Sequence, residues 1–84
     1  MEQTEKTELQ LYREANGFTI EDVVRRTISH GYDGGDTGHL TNCIYWIESR
    51  GQIVKSPRPR KTIEFKYLAM VFGIAPKKLW EGIL

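Results

Sequence analysis

Leu40, Cys43, Ile44 and Ile47 stand at i, i+3, i+4 and i+7. That spacing puts side chains on one stripe of an α-helix and on no single face of a strand. Asp36 or Thr37 supplies a short side-chain oxygen able to cap the first turn. Gly51 suits the left-handed residue that closes a helix. The stretch therefore predicts a helix over 36–50 with an apolar back. Its other face carries His39, Thr41, Asn42, Tyr45, Trp46 and Ser49, which hydrogen-bond or stack and include no acid. Two uses fit such a helix: reading base edges in a DNA groove, or covering the surface of a small helical bundle.

The flanking chain repeats the helical pattern. Residues 1–4 read as a frayed end. Glu5 to Asn16 reads as a first helix, with Leu9 and Tyr12 inward, joined by Ala15 or Leu11, and Gly17 as its stop. Thr19 caps a second helix, and Asp22 stands three residues on, in the capping-box position. Ile20, Val23, Val24 and Ile28 supply the inward face of that helix. Ser29 to Thr37 holds three glycines and two aspartates in nine residues, the composition of a loop. The Gly34-Gly35 pair lacks a preceding strand and a Gly-Lys-Ser/Thr ending, so it is not a nucleotide loop. Pro57 and Pro59 keep 52–61 out of a helix. Thr62 is placed to cap a fourth helix, with Phe65, Leu68, Ala69 and Phe72 as its stripe and Gly73 as its end. Pro76 opens a fifth helix carrying Leu79, Trp80, Ile83 and Leu84.

The predicted fold is one all-α domain over 1–84, a compact bundle of about five short helices. It contains a helix-turn-helix whose turn is long. The alternative is a winged helix, with strands at Gln52–Ser56 and Lys61–Phe65, a small β-hairpin within 52–65, and Pro57-Arg58-Pro59-Arg60 at the wing tip. The 84 residues suit a single core. No apolar run is long enough to cross a membrane. The N-terminus lacks a secretory pattern, so a cytoplasmic, nucleoid-associated protein is expected. A lone cysteine excludes an internal disulfide and a zinc site built on thiols, and its place on the apolar stripe reads as core. Two histidines without a His-x-x-x-His pair give no metal-ligand spacing. No cofactor is implied. No nucleophile is paired with a base, so an enzyme is not expected.

Charge is informative by distribution. The net charge is +1, yet Arg50, Lys55, Arg58, Arg60 and Lys61 lie in a segment without acids. A basic block next to the helix at 36–50 can attract phosphate while the chain as a whole stays near neutral.

Leu9, Tyr12, Arg13 and Gly17 in the first helix, the run Thr19–Val24, Ile44–Glu48 before Gly51, and Leu68–Leu79 together resemble the repressor/Cro type of helix-turn-helix domain. The resemblance covers nearly the whole chain, from Leu9 to about Trp80. It implies a sequence-specific binder of double-stranded DNA, a small transcriptional regulator. It also implies an ion pair between the first-helix Arg13 and Glu48 at the end of the recognition helix. Two departures stand out. Ile20 occupies the position where the family often has a glutamine, and the turn before the third helix is longer by roughly five residues than the compact form.

On that reading, helix 36–50 enters the major groove. Asn42 meets adenine edges, and Thr41 offers a hydroxyl or a methyl. His39 donates to a phosphate or base. Of Tyr45 and Trp46, one faces DNA and one packs. Arg50, Lys55, Arg58, Arg60 and Lys61, in the basic loop 50–61, hold phosphates. Two domains would bind as a homodimer on a two-fold symmetric site. Leu79, Trp80, Ile83 and Leu84 either form the dimer contact or close the domain's own core. The competing function is a protein-interaction module, an antitoxin, anti-repressor or adaptor subunit, with Tyr45 and Trp46 as partner anchors.

Overall fold

Each helix starts and stops where a specific side chain or backbone group satisfies its free ends. In the computed structural model, which describes residues 6–50, 58–81 and 83, five helices follow one another: α1 Glu8–Ala15, α2 Ile20–Ser29, α3 Thr37–Glu48, α4 Glu64–Phe72 and α5 Lys77–Trp80. No strand occurs among the described residues. Thr7 caps α1 by accepting from the Gln10 amide, and Gly17 beyond it has φ 70°. Thr19 and Asp22 form the reciprocal capping box of α2. Asp36, and not Thr37, caps α3 by accepting from the His39 amide. Gly73 ends α4 at φ 69°, a left-handed conformation that a Cβ would disfavour.

The core sits where α2, α3 and α4 converge. α2 packs on both α3 and α4, α1 packs on α3 and α5, and α4 on α5. The α3 stripe of Leu40, Cys43, Ile44 and Ile47 is wholly buried. Leu9, Val23, Val24, Phe65, Leu68, Ala69 and Leu79 close around it. Each large aliphatic side chain contributes roughly 1.5–3 kcal/mol by leaving water, so this stripe fixes α3 in the centre of the domain.

Several expectations are corrected. α1 begins three residues later than Glu5, and both Leu11 and Ala15 face solvent. On α2, Ile28 is exposed and Thr27 is buried in its place. The Thr27 hydroxyl donates to the Val23 carbonyl one turn back, which satisfies its only polar group. Thr62 does not cap α4. That helix starts at Glu64 after an Ile63 without a side-chain cap, and the Glu64 carboxylate receives the Arg60 amide instead. The second strand of the winged alternative is excluded because Glu64 and Phe65 open α4; its first strand lies outside the described residues. Of the C-terminal apolar residues, Leu79 is buried, and Trp80 and Ile83 are partly buried and pack against the cluster. Gly51, Lys55, Leu84 and residues 1–4, the expected frayed end, lie outside the described residues. α3 ends at Glu48, with Ser49 as its C-cap and Arg50 next in the left-handed region at φ 57°.

Candidate functional site: the face and flanks of α3

Packing divides the polar residues of α3 into two groups. With the stripe buried, Asn42 and Tyr45 are exposed and Thr41 is half-buried. The Thr41 hydroxyl donates back to the Thr37 carbonyl. Thr41 and Tyr45 also line a cavity of about 410 Å³ with Thr37 and with Ile20, Val24, Glu21 and Arg25 of α2. Ile20, which departs from the glutamine of the resemblance, thus contributes an apolar wall beside the outward face of α3.

Trp46 is not on that face. It is 7% exposed and belongs to the core, with Arg58 over its ring at 5.9 Å. An indole beside Ile47 on a twelve-residue helix loses more by standing in water than by packing. His39 turns away as well, toward Glu64.

The basic residues separate likewise. Arg58 and Lys61 are exposed, the latter with its ammonium 5.1 Å from the Trp80 ring. Arg50 is exposed and reaches the Lys6 carbonyl. Lys55 lies outside the described residues. Arg60 is engaged within the fold. Its guanidinium donates to both Glu64 oxygens, at 3.0 and 2.7 Å, and to the Gly34 carbonyl at 3.1 Å.

Two polar ties hold α3 in place. At its C-terminal end, Arg13 Nε and Nη2 donate to Glu48 at 2.8 and 3.0 Å. The pairing is bidentate and spans 35 residues of sequence. Arg13 also donates to the Phe18 carbonyl, so it fastens the α1–α2 turn to α3.

The tie at the N-terminal end was not anticipated from the sequence. Glu64 is 0% exposed. Burial works against its charge, but the Arg60 guanidinium and amide and the Tyr32 hydroxyl donate to it, and these bonds hold its carboxyl down at about 2. The Tyr32 hydroxyl sits at 2.8 Å and the His39 Nε2 at 3.2 Å from the same oxygen. Tyr32 is 5% exposed although it lies in the Gly/Asp-rich turn, so that turn is anchored and not a free loop. Burial, with the Glu64 charge nearby, pushes the Tyr32 hydroxyl well above the usual phenol range.

Gly34 permits this anchoring. A Cβ there would stand 2.6 Å from Ile63 Cγ2, 3.0 Å from Arg60 Nη2 and 3.1 Å from Tyr32 Cε1. Gly34→Ala is expected to destabilise the domain by about 1–3 kcal/mol, the usual cost of overpacking. Urea denaturation followed by helical circular dichroism measures it, and an unchanged midpoint would mean that the turn yields freely.

The same cluster changes the picture of metal-binding groups. No His-x-x-x-His pair exists, but His39 and Cys43 lie one helical turn apart, and the fold brings Glu64 to them. Their ligand atoms all fall within 4.8 Å of one another. Burial, then the Glu64 charge, pushes the Cys43 thiol up to about 12.

Among the described residues no helix is long and apolar enough to cross a membrane. No protein-family model, no curated protein and no solved structure matches the chain.

Proposed function

We propose that this protein is a sequence-specific binder of double-stranded DNA, a small transcriptional regulator of the repressor/Cro-like helix-turn-helix type. In this reading α2 and α3 are the two helices of the motif and residues 30–36 are its long turn. The observation that carries it is the bidentate Arg13–Glu48 pair. The resemblance specifies that pair for this kind of domain, and composition alone would not.

The contact set is smaller than the sequence suggests. Thr41, Asn42 and Tyr45 face the major groove, with Asn42 suited to an adenine edge and the Thr41 methyl to a thymine methyl. Trp46 and His39 act behind that surface. Arg58 and Lys61 meet phosphates, together with Arg50 and Lys55, while Arg60 shapes the fold. Two copies sit on a two-fold symmetric site, one DNA turn apart.

The test is binding to labelled duplex DNA at several salt concentrations, comparing the protein with Arg58→Ala/Lys61→Ala. This variant leaves the structural Arg60 in place. Each lost phosphate contact is expected to lower the salt slope by about 1, hence by about 2 for the pair. Asn42→Ala is expected to cost about 1–3 kcal/mol on the preferred site and little on random DNA. Absence of binding by folded protein at low salt and high micromolar concentration would remove the reading.

One observation favours a second reading. Tyr45 is 45% exposed beside the cavity floored by Ile20 and Val24, as a docking residue for a partner protein would be. That module would use Tyr45 alone, because Trp46 is buried.

A further inference from the structure

We propose that His39, Cys43 and Glu64 form a three-ligand site for one zinc-class divalent cation at the junction of α3 and α4. The inference stands independently of the DNA-binding reading.

The argument begins with distances. The His39 Nε2 lies 3.7 Å from the Cys43 Sγ and 3.2 Å from the nearer Glu64 oxygen. A tetrahedral zinc ion takes nitrogen and oxygen ligands near 2.0–2.2 Å and sulfur near 2.3 Å, which sets neighbouring ligand atoms about 3.3–3.6 Å apart. Both observed separations are close to the edges of such a tetrahedron. The thiol and carboxylate, already within 4.8 Å of each other, must close to about 3.5 Å when the ion binds. The i, i+4 placement of His39 and Cys43 supplies two ligands from one rigid helix, and Glu64 supplies the third from the first turn of the next.

The ligand chemistry selects the ion. One thiolate, one imidazole and one carboxylate form a mixed, borderline set that favours zinc or cobalt(II) over magnesium or calcium. The exclusion of thiol-built zinc sites from a single cysteine does not reach a set in which sulfur is one donor of three. Cys43 and Glu64 are wholly buried, whereas the His39 side chain is 27% exposed. The open edge at His39 gives the ion an entry path and leaves the fourth position to water. Tyr32, donating to the Glu64 oxygen at 2.8 Å, would orient the carboxylate from behind, as outer-shell hydrogen bonds to metal ligands do.

Arg60 is the cation that neutralises Glu64 in the metal-free protein. Its Nη2 lies 2.7 Å from the oxygen that His39 also faces. The Arg60 side chain is half exposed, so it can turn outward as the ion enters, while its amide keeps the other Glu64 oxygen at 2.9 Å. Binding forms a metal–sulfur bond and sends the thiol proton to solvent, with no change of oxidation state.

Cobalt(II) titration of the full chain tests the proposal. One equivalent should bind, giving a thiolate-to-cobalt charge-transfer band in the near ultraviolet and the strong visible bands of a four-coordinate ion. Zinc should displace it and raise the thermal midpoint. Cys43→Ser should abolish the charge-transfer band. Because that substitution alters the core, His39→Ala is the second variant. It should keep the helical circular dichroism of the parent and lose at least tenfold in cobalt affinity. Folded parent protein that takes up no cobalt or zinc at ten equivalents would overturn the site. Cobalt binding without a thiolate band, or binding unchanged in His39→Ala, would overturn it equally.

Discussion

Glu64→Ala is expected to lower the stability of the domain by about 3 kcal/mol or more, near the lower end of what breaking a buried ion pair costs. The lower end applies because water can reach the half-exposed Arg60 once its partner is gone, whereas Tyr32, a residue 5% exposed, has its hydroxyl left without its Glu64 acceptor. A domain of this size has on the order of 4–13 kcal/mol in total, so the variant stands near the edge of folding. Urea denaturation measures the loss. A change below about 1 kcal/mol would show that the cluster contributes little. The pH dependence follows from the same residue in the metal-free protein. The ordinary carboxyl value of 4.5 falls to about 2 in the fold. A lowered folded value means that the unfolded chain binds the proton more readily. Glu64 therefore stabilises the fold fully above the unfolded value, and that contribution fades as pH drops from about 4.5 toward 2. Glu64→Gln should flatten the stability curve over that interval, and a curve parallel to the parent's would refute the assignment.

Phe65→Ala is expected to cost about 3–5 kcal/mol, the range for truncating a buried aromatic ring. Phe65 is 0% exposed and meets the Trp80 ring edge-on, at 5.8 Å between centroids and 79° between planes. Its removal opens a cavity between α4 and α5 that a four-residue helix is poorly placed to fill. Urea denaturation gives the energy, and near-ultraviolet circular dichroism reports whether Trp80 loses its fixed environment. An intact aromatic signal with a loss under about 2 kcal/mol would mean that α5 collapses into the space.

The helices and their core stripes were legible because their causes are local. Leu40, Cys43, Ile44 and Ile47 declare a helical face by spacing, and Thr19 with Asp22 declares a capping box. Arg13 and Glu48 were legible only through resemblance, since 35 residues separate them. The Glu64 cluster was hidden for a related reason. Its members come from the long turn, from α3 and from the start of α4, and no short window contains them. Two signals were present nonetheless: a tyrosine inside a Gly/Asp-rich turn, and an acid set between Ile63 and Phe65 in an otherwise apolar helix start. The basic block misled for the same reason, because Arg60 reads as a surface cation until its partner four residues on is seen to be buried. Helical phase left open which of Tyr45 and Trp46 packs, and it is Trp46 that is buried.

The two ties on α3 have a mechanical consequence. Aliphatic burial resists a large roll of α3, which would expose its stripe, but the attraction itself has no preferred direction. Hydrogen bonds do, and α3 carries them near both ends, at His39 and at Glu48. Rolling the helix would strain both at once. The angle at which Thr41, Asn42 and Tyr45 point outward is therefore set by groups that do not themselves lie on that face. Cutting either tie should blur the orientation of the face while leaving its chemical composition unchanged.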